Sequence, residues 1–550
     1  LASAVFALGL SSCVGDLTID APLDPNLNTA DKALTKVEDY ESLLASIYTG
    51  FATSGYEGAN SGPSISGLDG GASQYYRGRY HLNGLTTDET VCCWNDQVIL
   101  KMHSLDWTTE DVAVSSFYYR VCHQIGLCNE FIRQANAASI ELPEKARWIA
   151  EARALRALCY LDGIDNFGNM PFADENFVIG STGPKQITRA ELFEYIESEC
   201  KDLLEGSDLY GYKESPYGRA NKGLAAMVLA KLYLNAEVYI GQKKYQECAD
   251  VLAGLDSAYS LHTKANGSKY SAFQDLFLAD NEKCTDEIIF PVEQHGLNTN
   301  SYGVTTFFIF GFVGGDMPAK DYGISSGWGG YRATPEFYNR FEDGDLRKLF
   351  DTVNQKSITI DDYSDFKCGA AYVKFVNIKS DGGAASTDGF SDVDYPLFRY
   401  ADALLMKAEC ELRGATGANG LAALNAVRAR AGVDALATVT FQDIWKERRL
   451  ELAGEGDRWY DYVRLAYYDK QAAMDDLKSQ KMNSVYNYEQ ACKNYWYTGC
   501  GGTLENAPED LTAFDPTRAE WKTNFENEVK YNEDDPARST YVNETIFTLP

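Results

Sequence analysis

The stretch GRANKGLAAMVLAKLYLNAEVYIGQKKYQECADVLAGL, residues 218–255, predicts two helices joined by a short turn. Its first half carries an apolar stripe at helical spacing, at Leu224, Val228 and Leu232. Its second half carries another stripe, at Tyr245, Cys248, Ala249 and Leu252. Gly241 lies between the stripes, where a glycine readily ends one helix and reverses the chain. The two stripes can pack against each other, so the stretch predicts a helical hairpin.

Paired helices recur along the chain. Apolar residues at helical spacing fill FRYADALLMKAECELRG (398–414), and LAALNAVRARAGV (421–433) follows after a Gly-rich turn. We expect helical pairs at about 114–172, 187–256 and 398–465. Pairs of this size with alanine at the crossing points look like tetratricopeptide units, which stack into a superhelix. The sequence therefore predicts a mainly α fold on a right-handed superhelical scaffold.

Three long segments interrupt the helical pattern, at 53–112, 260–395 and 466–550. They lack sustained periodicity and are rich in aromatic residues, so we expect them to be loop-rich insertions. Loops on a rigid helical frame are where binding residues usually lie. The sequence thus predicts one domain, residues 36–550, with a large loop-rich face that binds a ligand.

The N-terminal residues LASAVFALGLSSC, 1–13, are typical of a secretory signal. Their apolar run is too short to span a bilayer, which takes about 20 residues. The last four residues, LSSC, resemble a bacterial lipobox, in which the signal is cleaved before the cysteine and the thiol carries lipid. We expect lipidation at Cys13 and a polar tether over 14–35. The alternative is an ordinary cleaved signal with an incidental cysteine.

The charge balance limits the class of ligand. The 550 residues include 80 acidic and 50 basic side chains, for a net charge of -30. Such a field repels phosphate backbones and anionic lipid head groups, which argues against nucleic-acid binding and against membrane contact other than through the lipid. A neutral or cationic ligand is favoured.

The sequence contains no recognisable catalytic or cofactor motif. Its five histidines include no H-E-x-x-H, its cysteines include no C-x-x-C, and no G-x-S-x-G, P-loop or Rossmann pattern occurs. One oxygen-rich segment, LADNEKCTDE (278–287), could hold Ca²⁺. Its candidate ligands are Asp280, Asn281, Glu282 and Asp286. Because the segment lacks the EF-hand spacing, a solvated acidic loop is the alternative.

Charged residues recur every three or four positions between 447 and 464. The series is Glu447, Arg448, Glu451, Glu455, Arg458, Asp461 and Arg464. Carboxylates this dense could be taken for paired catalytic acids. Since each has an arginine within a turn, we expect a structural network of ion pairs in which the acids stay ionised.

Five segments carry a resemblance to a known family. They are EARALRALCYLDGIDNFGNMPF (151–172), GRANKGLAAMVLAKLYLNAEVY (218–239), YPLFRYADALLMKAECELR (395–413), LNAVRARAG (424–432) and WKERRLELAGEGDRWYDYVRL (445–465). Their order resembles that of the SusD-like (RagB/SusD) nutrient-binding lipoproteins of Bacteroidetes. The resemblance implies four tetratricopeptide-like helix pairs with a loop-rich binding face. It also implies a lipid-anchored protein on the outer face of the outer membrane that hands oligosaccharide to a SusC-like, TonB-dependent transporter.

The resemblance also implies the location of a sugar site. An oligosaccharide has flat C–H faces and hydroxyl edges, so its receptor needs aromatic rings with polar groups beside them. By motif position, the glycan contacts implied are Asp69, Arg77, Trp94, Asn95, Gln97, Tyr302 and Trp328. Position 97 holds Gln where the starch-binding member has Asn, which leaves the sugar preference open.

Each of these aromatic residues could instead belong to the core. Trp94 follows Val91 and two cysteines, and large aromatic side chains are mostly buried. Trp328 lies between glycines in SGWGG, where little local core is available, so it is the stronger candidate.

The function these observations favour is non-catalytic binding of oligo- or polysaccharide at the cell surface. One alternative is a surface glycoside hydrolase, which would need two carboxylates about 5 to 10 Å apart, one with a raised pKa. Another is a helical-repeat scaffold that binds only protein.

Overall fold

A computed structural model describes residues 30–473 and 476, apart from 57, 60–61, 95, 105–106, 110, 179–181 and 361–364. Five predictions therefore lie outside the described residues: the secretory signal at 1–13, lipidation at Cys13, most of the tether, the contact by Asn95 and nearly all of the insertion 466–550.

The described residues are mainly helical, which confirms the predicted class. The α-helices are α1 (Ala30–Ala33), α2 (Val37–Ala52), α3 (Tyr75–Asn83), α4 (Gln97–Ser104), α5 (Val112–Ala137), α6 (Lys145–Phe167), α7 (Arg189–Glu205), α8 (Lys222–Leu234), α9 (Ala236–Ile240), α10 (Tyr245–Ala253), α11 (Ala272–Asp275), α12 (Val304–Phe310), α13 (Pro335–Tyr338), α14 (Tyr400–Leu412), α15 (Gly420–Arg430), α16 (Phe441–Glu451) and α17 (Arg458–Tyr468). Two 3₁₀ turns span Asn281–Lys283 and Ala319–Tyr322. None of the helices in the described part of the chain is long and apolar enough to cross a bilayer.

The longer helices pack as neighbours in sequence. Helix α5 packs on α6, α7 on α8, α8 on α10, and α14 on α15. The predicted hairpin at 218–255 is present as α8, α9 and α10, and Gly241 ends α9 with φ of 67°. Helix α8 is buried on all sides rather than along one stripe, because α6, α7, α10 and β4 surround it.

Eight short strands form four antiparallel pairs within the described residues. The strands are β1 (Thr90–Cys92), β2 (Met170–Pro171), β3 (Gln186–Ile187), β4 (Ile288–Val292), β5 (Tyr331–Ala333), β6 (Phe350–Asp351), β7 (Ala371–Tyr372) and β8 (Tyr395–Arg399). Their pairings are β1 with β5, β2 with β3, β4 with β8, and β6 with β7. Most of them lie in the loop-rich segments 53–112 and 260–395, where they tie distant loops together.

Helices α3 and α4 correct the prediction that the segment 53–112, which lacks helical periodicity, forms only long loops. Helix α3 is the one that supports the candidate site. Its buried residues are Tyr75, Tyr76, Gly78, Arg79, Tyr80, His81 and Asn83. Because its buried positions include the polar residues Arg79, His81 and Asn83, no apolar stripe marks this helix in the sequence. The ring of Tyr80 packs on Phe308 and Tyr331, which joins α3 to the segments that carry the candidate site.

The charged series between 447 and 464 forms the predicted structural network, and it is buried. Arg448 pairs with Asp402 and Asp461, both at 2.8 Å, and Arg464 pairs with Glu409 at 2.7 Å. Most partners come from other elements rather than from within one helical turn. The arginines of the series bind carboxylates of α14 and of the loop before β1, and the glutamates of α16 bind arginines of α15.

Glu451 is the most heavily paired carboxylate in this network. It accepts hydrogen bonds from three arginines, Arg347, Arg399 and Arg430. Burial alone would raise the pKa of Glu451, but the three guanidinium groups hold that pKa far below its ordinary value. This carboxylate stays ionised and serves the fold, as the sequence predicts.

Candidate functional site

The β1–β5 pair brings two tryptophan loops side by side. Cys92 lies opposite Tyr331 in the ladder, and the amide of Cys93 donates to the carbonyl of Gly330 at 2.9 Å. Trp94 follows β1 and Trp328 precedes β5, so the ladder places both indoles at the same end of the strands.

Four half-buried rings form a continuous series on this face, which we call the aromatic platform: Trp94, Tyr302, Trp328 and Phe390. The ring centres of Trp94 and Trp328 are 6.5 Å apart at an interplanar angle of 50°. Tyr302 lies 5.8 Å from Trp328 at 70°, and Phe390 lies 5.6 Å from Tyr302. The rings are tilted against one another, so the platform is a bent surface rather than a flat stack.

Trp94 is fixed by the glycine run that follows Trp328. Its indole N–H donates to the carbonyl of Gly329 at 3.0 Å. A Cβ on Gly330 would lie 2.5 Å from the indole ring, a distance that real Cβ atoms do not reach. Glycine at position 330 therefore lets the backbone pass against the edge of the ring.

Tyr302 is held by a strained turn at the start of α12. Val304 has φ of 45°, a left-handed conformation that a β-branched residue rarely adopts. The side-chain oxygen of Gln74 accepts from the amide of Val304 at 3.1 Å and from the amide of Arg77 at 3.0 Å. Gln74 thus joins the start of α3 to the start of α12, and strain of this kind is commonly found at binding sites.

The Arg77 side chain contacts both the backbone and the rings of the platform. Its Nη1 donates to the carbonyls of Gly71 at 3.2 Å and Tyr302 at 3.1 Å. Its guanidinium carbon is 5.9 Å from the centre of Trp94 and 5.8 Å from that of Trp328. Burial lowers the pKa of Arg77. The cation therefore supports the platform through backbone hydrogen bonds and ring contacts.

Asp69 is exposed beside Tyr302. One carboxylate oxygen accepts from the amides of Gly71 at 2.8 Å and Ala72 at 2.6 Å, which forms the turn that leads into α3. The position that a Cβ of Gly71 would occupy lies 3.4 Å from this oxygen and 3.5 Å from the Tyr302 ring. A polar acceptor therefore borders the aromatic surface.

The structure brings together five of the seven predicted contacts: Asp69, Arg77, Trp94, Tyr302 and Trp328. Asn95 lies outside the described residues, and Gln97 opens α4 but its side chain is not described. Phe390 was missed. It follows a glycine in TDGFSD, the same local signal that marked Trp328.

The Ca²⁺ prediction at 278–287 is not supported, because three of the four candidate side chains are engaged elsewhere. Asp280 accepts from the amide and hydroxyl of Ser380, both at 2.7 Å, and pairs with Lys283. Asp286 bonds to His262 at 2.9 Å. The Asn281 side chain bonds to backbone carbonyls, and Glu282 is exposed. Within the described residues, no group of three or more His, Cys, Asp or Glu is placed to hold a metal ion.

Among the described carboxyl groups, Glu89 and Asp394 have the pKa values that are raised furthest, as a general acid would need. Burial is the main cause that raises the pKa of Glu89 to about 8 and that of Asp394 to about 8. Both side chains are buried in the interior and neither belongs to the platform. Their environment is that of core acids rather than of residues that meet a sugar.

The scaffold and the platform together define a class of protein in which helix pairs support a loop-built face of half-buried rings. Residues 362–509 match the sequence profile of the SusD family. The starch-binding protein SusD of Bacteroides thetaiotaomicron is 30% identical over 539 residues, which cover 88% of this chain and 93% of that protein. The chain belongs to the SusD family.

Other relatives are more distant. A SusD-like protein of Bacteroides ovatus is 24% identical, over 78% of this chain and 80% of that one. The solved structure of surface glycan-binding protein A from Bacteroides thetaiotaomicron, in complex with laminarihexaose, aligns with a TM-score of 0.63 at 18% identity. That alignment covers 83% of this chain and 96% of the other. It confirms the predicted fold, a scaffold of tetratricopeptide-like helix pairs.

Proposed function

We propose that this protein binds oligo- or polysaccharide at the aromatic platform without cleaving it. One observation carries the proposal: Trp94, Tyr302 and Trp328 come from three separate loops and meet on one partly exposed face. Indole and phenol rings with an exposed carboxylate beside them suit the apolar faces and hydroxyl edges of a sugar chain. The bent arrangement of the rings suits a curved chain better than a flat one.

The comparisons support the class of ligand. One relative is named a starch-binding protein, and one structural neighbour is a surface glycan-binding protein in complex with laminarihexaose. We propose a glucan-like ligand on this basis, with contacts from Asp69, Trp94, Tyr302, Trp328 and Phe390.

The proposal extends to location and partner. A lipid on Cys13 would anchor the protein on the outer face of the outer membrane, and a SusC-like, TonB-dependent transporter would take up the glycan it captures. Membership of the SusD family supports both points. A tethered receptor facing a polymer with many equivalent sites needs only modest affinity per site.

The first test is a substitution in the platform. Trp328→Ala should weaken binding of a soluble glucan by roughly 1 to 3 kcal/mol, because a stacked aromatic anchor is lost. Isothermal titration with starch- and laminarin-type oligosaccharides measures the change. Trp107→Ala is the matched control, since Trp107 is also half-buried but packs on Trp459 outside the platform. Equal affinities for the two variants would contradict the assignment.

The alternatives give different results in two assays. Chromatography of glucan incubated with the protein should show no released sugar, and release would favour a hydrolase. A glycan array should show binding, and failure across the array would favour a scaffold that binds only protein.

A further inference from the structure

A second cleft, of about 560 Å³, lies between α2, β4 and the turn at Gly218. It shares no lining residue with the aromatic platform. Its apolar lining comprises Leu44, Ala45, Phe51, Ala52, Trp148, Phe290, Pro291 and Val292. A half-open, largely apolar cleft of this size falls within the range of small-molecule sites.

Two polar residues that line the cleft, Arg219 and Tyr48, both bind Glu151, which does not line it. Arg219 donates from Nε and Nη2 to the two carboxylate oxygens of Glu151, both at 2.6 Å. The hydroxyl of Tyr48 donates to Glu151 at 2.5 Å and accepts from the amide of Ala220 at 3.0 Å. Because Glu151 is fully buried, its bidentate pairing neutralises the charge of Arg219.

Two other carboxylates at the cleft take no part in this pairing. Glu41 and Glu293 line the cleft and are both exposed, and neither side chain has a hydrogen-bond or ion-pair partner among the residues that the structure describes. Gly218 has φ of 77°, and a Cβ there would lie 1.6 Å from Oε1 of Glu293. The glycine therefore makes room for this carboxylate beside the apolar wall.

The balance of charge in the cleft is negative. Glu151 and Arg219 cancel, so Glu41 and Glu293 set its sign. Because both carboxylates are exposed, a positively charged ligand can reach them and form an ion pair. The ligand must also fill an apolar cleft with aromatic walls.

We propose that this cleft binds a small amphipathic cation, a protonated amine carried on an apolar body. The ammonium group would pair with Glu293, and with Glu41 at the rim, while the apolar body would pack against the cleft wall. Two sources share this chemistry: an aromatic amine, and an amino sugar whose ring offers a C–H face.

Titration calorimetry on the full chain near neutral pH separates the sources. One arm compares tyramine with tyrosol, its neutral hydroxyl counterpart. The other compares the disaccharide of glucosamine with its N-acetylated form. We expect at least one amine to bind and its neutral counterpart to bind at least about tenfold more weakly, because a charge-assisted hydrogen bond is lost.

Substitutions test the residues. Glu293→Gln keeps the shape and removes the charge, so it should weaken amine binding about tenfold while glucan binding at the platform is unchanged. Glu38→Gln is the matched control, because Glu38 is exposed on the same helix, α2, and does not line the cleft. If Glu293→Gln shifts the melting temperature, Ala45→Trp decides instead, since a large ring on that exposed lining residue should fill the cleft and abolish binding.

Three results would overturn the proposal. Neither amine binds, or the neutral counterparts bind as well as the amines, or neither Glu293→Gln nor Ala45→Trp weakens the binding of the amine. None of these results tests the aromatic platform, so the proposal for each site can be rejected independently of the other.

Discussion

Arg77 illustrates how a residue chosen for ligand contact also builds the site. The resemblance assigned its guanidinium group to the sugar, yet Nη1 is occupied by the carbonyls of Gly71 and Tyr302. The same group lies 4.9 Å from the ring centre of Phe307. Removing it would therefore change the spacing of the rings as well as any contact with sugar. Whether Arg77 contacts the ligand or supports the rings depends on hydrogen bonds between loops that are far apart in sequence.

Glu89 carries a prediction about pH. Its pKa is raised to about 8, by burial first and by the neighbouring Asp88 second, although it accepts a hydrogen bond from the amide of Gly454. Between about pH 4.5 and 8 the folded chain holds a proton here that the unfolded chain has lost, so stability should fall as pH rises. Glu89→Gln removes this contribution, so it should gain up to about 1.4 kcal/mol per pH unit over the wild type within that window.

Urea denaturation across the window measures this difference. The exposed Glu38→Gln should follow the wild-type pH profile. Parallel profiles for Glu89→Gln and the wild type would show that Glu89 is ionised in the folded protein.

At the scale of elements, α16 holds its neighbours through buried charge. Glu451 joins this helix to the ends of β8 and α15 and to the loop before β6 through three arginines, Arg399, Arg430 and Arg347. Glu451→Gln should destabilise the protein by about 3 to 5 kcal/mol, because three buried guanidinium groups lose their shared counter-charge. Equilibrium denaturation measures the loss.

A surface pair on the same helix is the control. Lys446 pairs with Glu342 at 2.9 Å, and both side chains are exposed. Lys446→Met should cost at most about 1 kcal/mol, because water screens the pair. Similar losses for the two substitutions would mean that the Glu451 network contributes no more than a surface contact.

Short strands matter more for the site than their length suggests. The β1–β5 pair has three residues per strand, yet it sets the spacing of the Trp94 and Trp328 loops. The two strands are far apart in sequence, so no local pattern in the sequence predicts their pairing. The helices that support this pair were easier to predict, because their periodicity is local.

At the scale of the whole molecule, the net charge of -30 selects among glycans. Affinity for a neutral glucan should change by less than about twofold between low and physiological salt, because neither sugar nor ring contact carries charge. A polyuronate should not be retained at low salt, since the field of the protein repels it. Affinity electrophoresis in gels that contain each polymer measures both. Strong retention of the polyuronate at low salt would contradict this view.

The sequence by itself determined the helix pairs, the acidic surface and most members of the platform. The hairpin at 218–255 is predictable because helical spacing repeats within three or four residues. Aromatic residues placed beside glycines in loops marked Trp328 as a candidate for exposure. Motif position within a family supplied Asp69, Arg77 and Trp94.

The tertiary structure alone decided which of these residues meet. The indole N–H of Trp94 donates to a carbonyl 235 positions away, and the carboxylates of α16 bind arginines from other elements. The apolar cleft beside Glu293 has no signature in the sequence either. Such contacts depend on how whole elements pack, whereas the periodicity of a helix is encoded within a few neighbouring residues.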